Sequence, residues 1–183
     1  QDVLFAKLTL SMHPGCTLYA PASMPHILEK LAEEAGGHVV RTKTDTAAFY
    51  NAIFPGEPSA EAQAAFHFDG IAAALQLLSV LHKEQTTLSA LVDSLPPFYI
   101  CRGEEPCARK DKGRLMRLLS EESEGTQTEG VQFQEKHGDA WILPDDTRPL
   151  CRVIAQGSRA EFAAEIAEGY IEKIRNLLGD GEK

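Results

Sequence analysis

Apolar residues at Val3, Leu4, Leu8 and Met12 keep helical spacing, which predicts a helix over Asp2 to Met12. The run HPGC breaks it, and TLYAP (17–21) reads as a short strand. Ser23 then opens a second helix with Pro25 in its first turn. Ile27, Leu28, Leu31 and Ala35 form its apolar stripe, and Gly36 and Gly37 stop it. HVVRT (38–42) is the next strand. Strand, helix and strand in so short a span predict a parallel βαβ unit with a right-handed crossover. TDTAAFYNAIF predicts a short helix, and PGEPSAEAQ (55–63) reads as a loop. Asp69 is placed to cap the helix DGIAAALQLLSVLHKE, whose Ile71, Leu75 and Leu78 are expected to share one face, with Ala74, Leu77 and Leu81 beside them. Thr87 is placed to cap TTLSALVDSL, which Pro96 and Pro97 end.

Beyond the prolines the period changes. FYICRG, EGVQFQ, AWIL and LCRVIAQ read as strands, and DKGRLMRLLSEE as a helix. SRAE (158–161) has the form of a capping box. Phe162, Ile166, Tyr170, Ile174 and Leu178 then repeat every four residues down a last helix. The expected fold class is α/β: a parallel-sheet αβα domain over 1–96, then a smaller α+β domain with an antiparallel sheet over 97–183.

Composition narrows the partners. The 183 residues are 43% hydrophobic and 25% charged, an ordinary globular mix. A net charge of −9 disfavours nucleic acid and anionic membrane surfaces, which need clustered Lys and Arg. No apolar run approaches the roughly 20 residues that span a bilayer. Cys16, Cys101, Cys107 and Cys151 are too few for a disulfide framework, so unpaired thiols in a cytoplasmic compartment are expected. The chain opens on Gln1 rather than Met and shows no signal peptide, so it is expected to be part of a longer or processed chain.

Chemistry-bearing residues are sparse. In PGEPS, Gly56 permits a tight backbone, Glu57 can accept bonds from sugar hydroxyls, and Ser59 can donate or accept; a polar surface loop explains the same residues. His67 and Asp69 suit an acid–base or metal pair, or a packed ring and a helix cap. RKDKGR holds Arg109, Lys110, Lys112 and Arg114, either a solvated helix face or a phosphate contact. WILPDDTRPLCRV (141–153) places Asp145, Asp146 and Arg148 between two apolar runs. No GxSxG, P-loop, HExxH or GxGxxG pattern occurs.

Taken in order, these stretches resemble the third and fourth domains of the α-D-phosphohexomutases, the phosphoglucomutases and phosphomannomutases. GGHVVRTKTD resembles the strand and loop with RTKxG. GEPS resembles the sugar-binding GExSG loop, FDGIAAALQLL the helix after it, and PCARKDKGRLMRLL the hinge and first helix of the fourth domain. WILPDDTRPLCRV lines up with the phosphate-binding RPSGTEPxxRV. The departures are specific. Asp45 replaces the glycine of RTKxG, and Thr46 follows where a histidine is usual. Ala60 replaces the last glycine of GExSG. Leu143, Asp145, Asp146 and Arg148 replace arginine, serine, glycine and glutamate of the phosphate loop, while Pro144, Thr147 and Pro149 match.

The resemblance implies sugar contacts at Gly56, Glu57 and Ser59. It puts Thr147, Arg148 and Arg152 at a residual phosphate-loop position, with Arg152 alternatively a strand residue facing solvent. It implies no catalytic residue, metal ligand or cofactor in this chain, since the phosphoserine and the Mg2+ loop belong to the family's first two domains. One guanidinium fork fewer and two acceptor-only carboxylates more weaken a phosphate grip; Arg148 is placed to pair with one of the aspartates. The blend looks most similar to the mutase-like tail of chains whose front half is a sugar-1-phosphate nucleotidyltransferase, such as mannose-1-phosphate guanylyltransferase. The expected function is a non-catalytic module of such a parent: scaffold, regulator or weak sugar-phosphate binder. The alternative is the sugar- and phosphate-binding half of an active phosphohexomutase. Partners consistent with both are the rest of the parent polypeptide, a hexose phosphate and a second copy of the chain.

Overall fold

The computed structural model describes residues 1–54, 56–123 and 129–179. Pro55, the first residue of the PGEPS stretch, lies outside them. Contacts divide the chain into two compact units, Gln1–Pro97 and Phe98–Lys183. The fold is α/β, with a parallel sheet in the first unit and an antiparallel sheet in the second.

In the first unit, helix α1 (Asp2–Met12) precedes strand β1 (Thr17–Pro21), helix α2 (Ile27–Glu34) and strand β2 (His38–Thr42). β1 and β2 pair in parallel, Thr17 opposite His38 through Pro21 opposite Thr42, which is the expected βαβ unit. Leu18, Ala20, Leu28, Leu31 and Ala32 pack with Val3 and Leu10 of α1 as its core. Helix α2 starts later than the sequence suggests, since residues 22–26 form a turn whose carbonyls bind a side chain described below.

Helix α3 (Thr46–Ile53) is followed by α4 (Pro58–Phe68), where a loop was expected. Pro58 stands in the first turn, where its missing N–H costs nothing and its fixed φ suits the helix. The alanine-rich AEAQAA behind it favours continuation. Gln63 of α4 is buried and ties the helix to β1: its Oε1 accepts from Tyr19 N at 2.8 Å, and its Nε2 donates to Thr17 O at 3.0 Å. Gln63→Ala leaves that Tyr19 N–H unsatisfied, and an orphaned buried donor costs about 1–3 kcal/mol. A lower urea midpoint for the first unit, followed by circular dichroism, is the expected result.

Asp69 caps helix α5 (Gly70–Lys83), its carboxylate accepting from Ile71 N and Ala72 N. Thr87 likewise caps helix α6 (Leu88–Asp93). The face of α5 that meets the core differs from expectation. Ile71, Leu75 and Leu78 are 78%, 63% and 61% exposed, while Ala73 and Val80 are buried with Leu8, Phe66 and Leu91. A helix apolar on most of its circumference does not reveal its inward side by period alone. The small Ala73 lets this side approach α1 and α4.

The second unit is an antiparallel sheet ordered β3-β6-β5-β4, built from β3 (Tyr99–Pro106), β4 (Val131–Glu135), β5 (Gly138–Pro144) and β6 (Leu150–Gly157). Helices α7 (Arg109–Glu121) and α8 (Ala160–Gly179) supply Leu115, Leu119, Tyr170 and Ile174 to a core with Val131, Ile142, Cys151 and Val153. On α8, Tyr170 and Ile174 of the expected line are buried and Ile166 and Leu178 pack against the core, with Ala163 and Ala167 buried beside them. Gly130, entering β4, has φ +68°, and a Cβ there would lie 2.2 Å from the Ile142 carbonyl oxygen. Among the described residues no single helix is long and apolar enough to cross a membrane.

Candidate functional site

The first unit carries the 41–45 motif and the 56–59 motif, the second of which is expected to contact a sugar. Arg41 is spent on structure. Its Nε and Nη2 grip the Glu29 carboxylate, both at 2.7 Å, and its remaining donors reach the carbonyls of Pro21, Met24 and Pro25. Asp45 stands where the resemblance puts glycine because it caps α3, accepting from Ala48 N at 2.8 Å. Gly56 is exposed, and a Cβ there would come within 2.3 Å of Ile53 O and Ala60 Cβ, so the close approach of α3 and α4 requires glycine. Glu57 is exposed at the N-terminal cap position of α4 without a side-chain capping bond. Ser59 departs from the expected surface role: it is buried in the first turn of α4, its hydroxyl meeting the Cys16 thiol. Burial raises that thiol above its ordinary value. His67 is a packed ring, edge-on to Phe49 at 4.9 Å, and desolvation holds it below the usual imidazole range.

The turn between β5 and β6 in the second unit is organised around Asp145, which is 4% exposed. Its Oδ1 accepts from Thr147 N at 2.9 Å, Thr147 Oγ1 at 2.8 Å and Arg148 N at 2.8 Å. Its Oδ2 accepts from Arg148 Nε at 3.2 Å and from Arg152 Nη2. The Arg148 N–H and the Thr147 hydroxyl, with help from Arg152, hold this carboxyl far below the usual carboxylate range. Arg148 also reaches across to Glu104 on β3, at 2.8 Å, and that partner raises its guanidinium further.

A second layer of cations fixes the backbone of the turn. Lys112 Nζ donates to the carbonyls of Asp145 and Arg148, and Arg109 Nη2 donates to Thr147 O at 2.9 Å. The RKDKGR run is therefore neither a merely solvated face nor a free phosphate contact: two of its cations hold this turn, and Arg114 binds Leu177 O. Leu143, at the position of the family's arginine, is buried in β5 opposite Arg152. Asp146 points into solvent. Arg152 is not a solvent-facing strand residue in the simple sense, because its guanidinium closes on Asp145. The four cysteines are free; Cys107 and Cys151 lie in the core beside the turn, where burial pushes the Cys151 thiol up to about 12.

Residues 3–99, more than half of the chain, match the model of the phosphoglucomutase/phosphomannomutase α/β/α domain III. The chain belongs to this family. A phosphoglucosamine mutase of Methanococcus vannielii is 29% identical over 164 residues, which cover 81% of this chain and 37% of that protein. A phosphopentomutase of Thermococcus kodakarensis is 28% identical over 196 residues, 98% of this chain and 43% of that one. The crystal structure of a phosphoglucomutase/phosphomannomutase family protein from Burkholderia thailandensis superposes with a TM-score of 0.74 at 18% identity, covering 96% of this chain and 40% of that chain. The chain thus spans about two fifths of the length of the curated relatives it matches.

Thr147, Arg148 and Arg152 meet at one turn, around a carboxylate of the chain itself. Sequence reading missed Lys112, Arg109 and Glu104 as parts of this turn. The signal for the two cations was present in the run RKDKGR; Glu104 carried none.

Proposed function

We propose that the chain is the C-terminal, phosphohexomutase-like part of a larger sugar-phosphate or nucleotide-sugar enzyme and does not transfer phosphoryl groups by itself. Its role is scaffold, regulator or weak sugar-phosphate binder. The observation that carries this reading is the occupancy of the 145–152 turn: the N–H groups, hydroxyl and guanidiniums suited to a phosphate all bind the Asp145 carboxylate. Ser59 is likewise turned inward at the expected sugar loop, leaving Glu57 as its exposed carboxylate. On this reading the chemistry, and any Mg2+, belongs to the rest of the parent. The resemblance favours a sugar-1-phosphate nucleotidyltransferase, such as mannose-1-phosphate guanylyltransferase, as that front part. The cytoplasm is the compartment, and nucleic acid and membranes are not partners. Calorimetric titration with mannose 1-phosphate and glucose 1-phosphate is expected to give no saturable binding above the weak range. Tight binding abolished by substitutions in the 145–148 turn would overturn the reading.

A second reading has its own support. The curated relatives quoted above are both mutases, and their similarity runs over most of this chain. In that case the chain is the sugar- and phosphate-binding half of an active phosphohexomutase. A coupled mutase assay on the full-length parent decides: sustained turnover that falls on Glu57→Ala favours the second reading, and absence of turnover favours the first.

A further inference from the structure

We propose that the cavity between the β4–β5 hairpin and α8 binds a guanine nucleotide, with the base stacked on His137 and its N–H edge on the Glu135 and Glu165 carboxylates. This site is separate from the turn that carries the functional reading, and stands or falls without it. β5 starts at the hairpin and ends at the 145–149 turn, and its seven residues put the two about 20 Å apart.

The cavity holds about 430 Å³, within the range of small-molecule sites. Its wall is aromatic. The His137 ring lies flat on Phe162, with centroids 4.4 Å apart and planes 12° from parallel. His137 is exposed, so the ring face turned away from Phe162 is open to a ligand. Tyr170 and Gly169 of α8 also line the cavity. A glycine inside a helix is unfavourable relative to alanine. No packing demands this one, since a Cβ there would meet nothing of its surroundings within 4 Å. Its lack of a side chain keeps the cavity open.

The polar groups choose the ligand. The Tyr170 hydroxyl donates to Glu135 Oε1 at 2.7 Å, which fixes that carboxylate and leaves its second oxygen for a ligand. Burial and this bond hold the Tyr170 phenol above its ordinary value, so it stays a donor. Glu165, three residues on from Phe162, lines the same cavity; it is exposed and unpaired among the described residues. Of the two lysines in the lining, Lys173 is spent on Glu122 and on the faces of Phe133 and Tyr170. Lys136, in the hairpin turn, is exposed and unpaired among the described residues. An aromatic wall beside two acceptor-only carboxylates matches a flat ring rich in N–H donors. A lone anion is repelled by the same carboxylates. A metal ion is not matched either, since among the described residues no three His, Cys, Asp or Glu side chains are grouped to hold one. Guanine presents two adjacent donors, N1–H and N2–H, which fit the two oxygens of a carboxylate. Adenine and cytosine set a ring acceptor beside their amino group, and a carboxylate repels it. Stacking favours every base alike, so the carboxylates make the choice. Lys136 supplies the charge for the phosphate of the nucleotide.

The test uses the full 183-residue chain. Calorimetry follows its titration with guanosine 5′-monophosphate (GMP) and adenosine 5′-monophosphate (AMP) at constant ionic strength, and then with GMP against inorganic phosphate. GMP is expected to bind saturably and at least about tenfold tighter than AMP, and phosphate at equal concentration is expected not to displace it. Glu165→Gln keeps the size of the side chain, gives up its charged acceptor, and should weaken GMP by about tenfold. Gly169→Leu fills the cavity and should abolish binding. Its melting temperature should be unchanged or raised, because leucine is the better helix former and meets nothing at this position. If Gly169→Leu does not fold, Glu165→Gln, a change at an exposed residue, decides alone. Absence of saturable GMP binding overturns the proposal. So do equal affinities for GMP and AMP, displacement of GMP by phosphate, and GMP binding that survives the substitutions. None of these results touches the functional reading, which sugar phosphates decide at the 145–148 turn.

Discussion

Ile142→Ala is expected to lower the stability of the second unit by about 2–5 kcal/mol, the range for truncating a large aliphatic side chain in a packed core. Ile142 is fully buried on β5, opposite Val131 on one side and Val153 on the other. Its carbonyl lies against Gly130, so the strand has little freedom to close the cavity. Such a loss is a large part of the roughly 5–15 kcal/mol that holds a typical domain together. Ile142 also stands three residues before Asp145, so the loss should propagate to the turn. The only tryptophan, Trp141, is buried in the same strand and reports on this unit directly. Urea unfolding followed by its fluorescence should show a lower midpoint with an unchanged slope. An unchanged midpoint would contradict the burial of Ile142 between Val131 and Val153.

Asp145→Asn is expected to flatten the acid limb of the second unit's stability. The native carboxyl lies well below the ordinary carboxylate range, held there by the Arg148 N–H, the Thr147 hydroxyl and Arg152. In the unfolded chain it returns to about 3.9. A group depressed on folding contributes its full stability above the unfolded value and loses it as pH falls toward the folded one. Wild type should therefore lose stability relative to the variant from roughly pH 4 downward. At neutral pH the variant is the less stable, because asparagine has no charge to set against Arg148 and Arg152. The two melting curves should converge in acid. Parallel curves from pH 7 to about pH 2 would show that Asp145 is not the gripped carboxylate.

Most of the fold could be read from the sequence because its elements are marked by local signals. α1, β1 and β2 follow the apolar pattern, and Asp69 and Thr87 cap the helices that they precede. The failures have one physical source: a pattern along the chain does not say what lies opposite. The Ile71–Leu75–Leu78 line has the right period, and Ala73 faces the core instead because a small residue permits closer packing. PSAEAQ looks polar enough for a loop, but proline in a first turn and alanine behind it make a helix, which carries Ser59 inward. At the site, Thr147, Arg148 and Arg152 could be placed by their order along the family's motif. The direction of the Asp145 side chain could not, since an aspartate at a turn can face water as Asp146 does. Its burial depends on Arg152, across a strand pairing, and on Lys112, 33 residues earlier in the chain.

Amide-resolved NMR of the wild-type chain during titration with mannose 1-phosphate tests the central claim most directly. With the Asp145 carboxylate in place, the Thr147 and Arg148 N–H signals should stay where they are as the sugar phosphate is added. Saturable shifts of those two signals would show the turn open to a phosphate in the native protein and would contradict the account.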